Sequence, residues 1–194
     1  METENLTEEQ PKPKGKQSFW ELVRFAVLAV LIVVPVRMFI AQPFIVSGSS
    51  MAPTFGSGDY LVVDEITYRI KDPQRYDVVI FKYPNDPEKF FIKRIIGLPN
   101  ETVEIRGNEV TIQNSEIPDG FPIEQPYVKW QGNNNLRFEL KEDEFFVMGD
   151  NRSASSDSRY WGAVPRELLS GRALLRLLPV HEIGILPGGY KEER

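Results

Sequence analysis

Three stretches of this chain carry residue types suited to covalent chemistry. Ser47-Gly48-Ser49-Ser50-Met51-Ala52-Pro53-Thr54 sets three serine hydroxyls around a glycine, ahead of a rigid proline. Such a loop holds a serine oxygen exposed while its backbone N–H groups point one way. Those are a nucleophile and an oxyanion hole, two parts of an acyl-transfer site. Composition does not choose among Ser47, Ser49 and Ser50, and an ordinary turn uses the same residues.

The second stretch is Phe90-Phe91-Ile92-Lys93-Arg94-Ile95-Ile96. Side chains alternate along a strand, so Phe91, Lys93 and Ile95 share one face while Ile92, Arg94 and Ile96 share the other. Burial of the first face would disfavour the Lys93 ammonium and lower its pKa. A lysine neutral near pH 7 to 8 takes a proton from a serine hydroxyl. The competing reading is an exposed edge strand, where lysine discourages aggregation. The third stretch, Gly149 to Gly162, is polar, with Asp150, Arg152, Asp157, Arg159 and four serines. Mutual hydrogen bonds fix such a loop without regular structure, and one of its hydroxyls could orient a lysine amine. A solvated loop is one alternative and a calcium site from Asp150, Asn151 and Asp157 another, although the spacing and closing Glu of an EF-hand are absent.

Composition removes other chemistries. Among 194 residues there is no cysteine, so thiol catalysis, disulfides and cysteine-held metals are excluded. His181 is the single histidine, so a multi-histidine metal site is impossible and any Ser-His-Asp triad would have to use it. A net charge of −5 gives no reason to expect a nucleic-acid partner.

The elements that must position these residues read as short strands. Candidates are Asp59–Val63, Asp77–Phe81, Phe90–Ile96, a hairpin of Glu101–Ile105 and Glu109–Gln113 around Arg106-Gly107-Asn108, Glu144–Met148 and Gly171–Leu178. Residues 114–135 are rich in Pro, Gly and Asn and read as an irregular surface excursion, and Pro187-Gly188-Gly189 as the start of a frayed tail. Ahead of the strands, Phe25–Val36 lacks any polar residue and is bracketed by Arg24 and Arg37. The run approaches the ~20 residues of a membrane span only with its flanks included and both arginines snorkelling. It is apolar on every face and bordered by Trp20, which favours a membrane helix over a core helix. Lys12, Lys14 and Lys16 precede it, placing the N-terminus in the cytoplasm. No small-x-small pair closes the run, so it reads as an uncleaved anchor rather than a signal peptide. The expected organisation is a disordered cytoplasmic tail over 1–18, a transmembrane helix over 19–41 and a β-rich catalytic domain outside the membrane over 42–194.

With these stretches in place, the sequence resembles the type I signal peptidases, the membrane-anchored leader peptidases of bacteria and their organelle relatives. Gln42-Pro43-Phe44 leads into Gly48-Ser49-Ser50-Met51-Ala52-Pro53-Thr54, similar to the family's nucleophile box, with Gly58-Asp59 following. Phe91-Ile92-Lys93-Arg94 with Ile96-Gly97-Leu98-Pro99 resembles the general-base box. Met148-Gly149-Asp150-Asn151-Arg152, then Ser155, Asp157-Ser158-Arg159 and Tyr160-Trp161-Gly162, resemble the third. The resemblance implies a mostly β, antiparallel catalytic domain of signal-peptidase type on one N-terminal helix, with a variable β insertion over about 100–143. It implies Ser50 as nucleophile and Lys93 as general base. Ser155 would orient the amine, Asp157 and Arg159 would hold the loop, and Asp150 would pair with Arg94. The Ser50 N–H would serve the oxyanion; Gly48 stands where some members carry a second hydroxyl donor. Met51, Phe91, Ile92 and Ser156 would wall the pockets for small residues before the cut. Exported preproteins and membrane lipid are the implied partners, and no metal or cofactor is needed. The cytoplasmic membrane is the expected location, with a thylakoid or organellar inner membrane as the alternative. Two other readings are a self-cleaving Ser-Lys protease of the SOS-repressor type and a membrane-anchored β-module that only binds.

Overall fold

The computed structural model describes residues 15–39, 41–129 and 133–190. Residues 1–14 of the expected tail lie outside them. Two units are distinct, one ending at Met38 and one running from Phe39. The described part of the first belongs to helix α1, Gly15–Phe39, whose last residue falls in the second, so residues 15–18 are helical rather than part of a disordered tail. Phe19, Trp20, Phe25, Leu28, Leu31 and Ile32 are exposed on it. Among the described residues no helix is long and apolar enough to cross a membrane.

The second unit is built from antiparallel strands: β1 Ala41–Ile45, β2 Tyr60–Asp64, β3 Val78–Tyr83, β4 Asp86–Gly97, β5 Thr102–Gly107, β6 Glu109–Gln113, β7 Phe121–Pro122, β8 Asn134–Glu139, β9 Glu144–Met148, β10 Val164–Pro165, β11 Leu169–Leu178 and β12 Gly184–Ile185. The larger sheet runs β1-β2-β11-β3-β4-β9-β10, with β12 beside β11, and the smaller runs β7-β6-β5-β8. Each strand expected from β-branched alternation is present. In β5 and β6 the apolar residues Val103, Ile105, Val110 and Ile112 point inward while Glu104, Arg106 and Glu109 stay at the surface or half-buried. Gly107 at the turn has φ +61°, a conformation glycine adopts without strain.

Three departures concern the site. The sequence marks β1 only as a lead into the serine loop, yet it pairs with β2 from Ala41↔Asp64 to Ile45↔Tyr60. It forms one end of the larger sheet, where Pro43 needs no ladder partner. Residues 114–135 are not wholly peripheral, because Ile123 and Val128 are buried and Ile123 joins the core between the sheets. Residues 187–190 are not frayed; the rest of the expected tail, 191–194, lies outside the described residues. Pro187 is buried, the Gly188 carbonyl accepts from Arg94 Nη1, and the Tyr190 ring packs edge-on against Tyr76 at 5.0 Å.

Candidate active site

Strand β4 pairs with β3 along one edge and with β9 along the other, and side chains of its C-terminal half are buried on both faces. Phe91 and Ile95 pack with Val79 and Phe81 on one face, while Ile92 meets the cluster beneath the serine loop and Ile96 the core of the smaller sheet. This alternation sends Lys93 and Arg94 in opposite directions, and both are buried. Lys93 Nζ lies 2.8 Å from Ser50 Oγ and 2.9 Å from the Ile92 carbonyl oxygen. Burial lowers the Lys93 pKa to about 8, outweighing the attraction of Asp157 and Asp150. Of the three serines in the loop, Ser50 is the one in contact with the amine.

Behind the amine, Arg94 makes a two-pronged ion pair with Asp150, Nε to Oδ1 at 2.8 Å and Nη2 to Oδ2 at 2.6 Å. Both side chains are fully buried. Arg94 Nη1 also donates to the Tyr76 carbonyl at 3.0 Å, and its guanidinium stacks 4.0 Å from the Tyr127 ring. Thr54 Oγ1 donates to the same Asp150 carboxylate, so one buried acid ties the strand carrying Lys93 to the loop carrying Ser50.

In the stretch from Gly149 to Gly162, Ser153, Ala154, Ser156 and Tyr160 are exposed while Asp150 and Asp157 are buried and already paired. Asp157 receives Arg159 Nε at 2.7 Å and the Gly149 N–H at 2.9 Å, and it caps helix α3, Ser158–Trp161. Arg159 Nη2 reaches the Arg152 carbonyl at 2.7 Å. With both carboxylates paired to arginines, the acids brace the loop.

Gly149 has no room for a side chain. A Cβ there would stand 2.3 Å from Ser155 Oγ and 2.4 Å from the Ser50 carbonyl. We expect Gly149→Ala to displace the serine loop and cut any turnover that depends on the Ser50–Lys93 contact by about 100-fold or more, measured as kcat/KM; wild-type turnover would contradict the packing.

The expected site residues are placed unevenly. Ser155 is buried, but its Oγ has no hydrogen-bond partner among the described residues, and the amine's second contact is Ile92 instead. Gly48 is exposed with φ +97° and nothing within 4 Å of its Cβ position. Phe91, Ile92 and Ser156 line a groove of about 430 Å³ whose wall also includes Ser50 and Lys93. Met51 does not line it. At 1 % exposure it packs with Phe55, Leu61 and Ile80 below the loop, because the turn that presents Ser50 sends the next side chain inward. Phe44, Val46 and Phe90 line the groove, and no local sequence signal singles them out. Asn151, read from the sequence only as an alternative calcium ligand, bonds to the serine loop twice, through its side chain and its main chain. His181 is exposed.

Residues 19–178 match the family model described as signal peptidase, peptidase S26. The chain belongs to this family. Its reaction class is therefore peptide-bond hydrolysis. A relative named probable signal peptidase I-2 from Synechocystis is 36% identical, over 98% of this chain and 89% of its own length. A signal peptidase I from Leptolyngbya laminosa is 34% identical over 90% of this chain and 87% of its own. The crystal structure of a signal peptidase I from Enterococcus faecalis V583 shares 32% identity and a TM-score of 0.45, covering 53% of this chain and 97% of that one. The groove and the Ser50–Lys93 contact thus lie in a signal peptidase, and the matched region contains every residue assigned to them.

Proposed function

We propose that this signal peptidase removes N-terminal signal peptides from exported preproteins by a Ser50–Lys93 dyad, cutting after small-x-small sites. The 2.8 Å approach of a buried lysine amine to a single serine hydroxyl carries this reading. In the reactive form Lys93 is neutral and accepts the Ser50 proton as Oγ attacks the scissile carbonyl. The proton passes to the leaving amine, and a water, deprotonated in turn by Lys93, hydrolyses the acyl-enzyme. The Ser50 N–H, accepted by no other group among the described residues, serves the oxyanion. Ser155 orients the amine in the substrate complex; its hydroxyl is buried and unpaired here, and catalytic hydrogen bonds often tighten only when substrate binds.

The shape of the groove supports an extended substrate. Phe44–Val46 and Phe90–Lys93 both line it. Among the described residues, strand β1 has a neighbour only on its β2 side, and β4 meets β9 only from Arg94 onward. Two strand edges are thus open to a peptide that adds main-chain hydrogen bonds. The aromatic and aliphatic walls, Phe91 and Ile92 with Ser156, favour small apolar side chains near the cut.

Attachment to a membrane is part of the same proposal. Helix α1 exposes apolar residues along its described side chains. The segment from Leu177 to Leu186 adds exposed Leu178, Val180, Ile183 and Ile185, an apolar surface of the kind that meets lipid. We take the side of the membrane outside the cytoplasm for the second unit, following the lysines ahead of α1.

The test uses the purified full chain with a precursor carrying an Ala-x-Ala site, in vesicles and in detergent. The wild type is expected to release the mature protein and to float with vesicles, and Ser50→Ala to cut at least about 10⁴-fold more slowly. An active Ser50→Ala variant would remove the dyad reading, and a protein that stays in the aqueous fraction would remove the membrane reading.

A further inference from the structure

The Ser50 N–H can serve an oxyanion only if its peptide plane is held, and the loop has few internal bonds to hold it. From the described loop itself, only Ala52 N–H, at 3.1 Å, reaches the Ser49 carbonyl. The other anchor comes from 102 residues away. Asn151 Nδ2 donates to the Ser49 carbonyl at 3.2 Å, and the Asn151 main-chain N–H donates to the Ser50 carbonyl at 3.0 Å. The far side of the amide is fixed too, because its Oδ1 accepts from Ser153 Oγ at 3.1 Å. The amide orientation is determined by chemistry, since the end facing a carbonyl oxygen must be the NH₂.

A trans peptide is planar, with its C=O and N–H pointing in opposite directions. Pinning the Ser49 C=O on one side therefore aims the Ser50 N–H at the other. We propose that Asn151 is the positioning residue of the oxyanion hole: its side-chain amide holds the Ser49–Ser50 peptide plane so that the Ser50 N–H faces the developing oxyanion. This rests on the Ser50 nucleophile proposed above. Asn151 is 9 % exposed and acts on the substrate only through that peptide.

The test compares Asn151→Ala and Asn151→Asp. Both keep the main-chain bond to Ser50, and the Asp variant keeps the shape and an acceptor for Ser153 while losing the donor to Ser49. Each is assayed on the alkaline plateau, so that any effect of the new carboxylate on Lys93 does not enter kcat. We expect kcat to fall by about 10- to 100-fold, less than the ~10²–10³ of losing a donor outright, with KM within about 3-fold. An Ala-x-Ala peptide aldehyde, whose adduct with Ser50 carries a tetrahedral oxygen, should lose affinity by the same factor. The midpoint of the pH profile for Asn151→Ala should stay at the wild-type value, since Lys93 keeps its surroundings. Unchanged kcat in both variants, or a loss carried by KM with aldehyde affinity intact, would overturn the assignment. The Ser50→Ala assay separates the two levels. Activity in Ser50→Ala removes the underlying reading, whereas an inactive Ser50→Ala beside two fast Asn151 variants removes this inference alone.

Discussion

Lys93→Met is expected to slow precursor cleavage by about 10⁴-fold or more, without lowering the melting temperature at pH 7. Methionine keeps the length of the lysine stem but has no proton acceptor fit to take the Ser50 hydroxyl proton, now 2.8 Å from the amine. The stability half of this expectation follows from the sign of the shift. Burial lowers the folded-state pKa to about 8, below the ordinary lysine value near 10.5. At pH 7 the unfolded lysine is charged in water, while the folded protein must charge the same group in a buried site. Wild-type stability should therefore rise with pH through the window between about 8 and 10.5, where the unfolded chain binds more protons. Lys93→Met should lack that rise. Thermal unfolding of both proteins across this window, beside single-turnover cleavage, checks the two halves together. A Met variant that cuts at the wild-type rate would remove Lys93 as base.

Arg94→Met is expected to be the most damaging single change to stability, costing about 3–5 kcal/mol. Arg94 and Asp150 are both fully buried, so removing the guanidinium leaves a carboxylate without its counter-charge. It also leaves the Tyr76 and Gly188 carbonyls without the donor they share. For a domain of this size such a loss lowers the melting temperature by roughly 10–15 °C. The Arg94→Met/Asp150→Leu double variant should recover much of the stability, since two apolar groups leave no buried charge behind. Activity should not recover with it, because Thr54 has lost the acid that ties its loop to β4. A double variant no more stable than Arg94→Met alone would show that the cost is packing rather than charge.

Much of this site is readable from local pattern. Alternation along Phe91 to Ile96 is enough to set Lys93 and Arg94 on opposite faces, and the fold gives each its own buried surroundings. The hairpin around Gly107 follows from period-2 patterning and a glycine turn. What escapes the local pattern depends on contacts between distant residues. Pro187-Gly188-Gly189 has the composition of a loose tail, and contacts with distant residues, among them the Arg94 donor 94 residues away and the Tyr76 ring against Tyr190, make it part of the core. Strand β8 begins with two asparagines, which hide its later alternation in an irregular-looking stretch. Asn151 is one polar residue among many in its loop, and no local signal marks it as the partner of the Ser49 carbonyl. Met51 illustrates the converse error, since adjacency to Ser50 in sequence suggests the groove while the turn geometry buries it.

The most direct test of the Ser50–Lys93 dyad is the pH dependence of kcat/KM for cleavage of an Ala-x-Ala substrate from pH 5 to 10. The base acts in its neutral form, so activity is low while Lys93 is an ammonium and rises as the pH passes its folded-state pKa. The dyad predicts a single ascending limb with a midpoint at about 8. A profile that is flat from pH 5 to 9, or one that rises through the histidine range near 6.5, would contradict a lysine base.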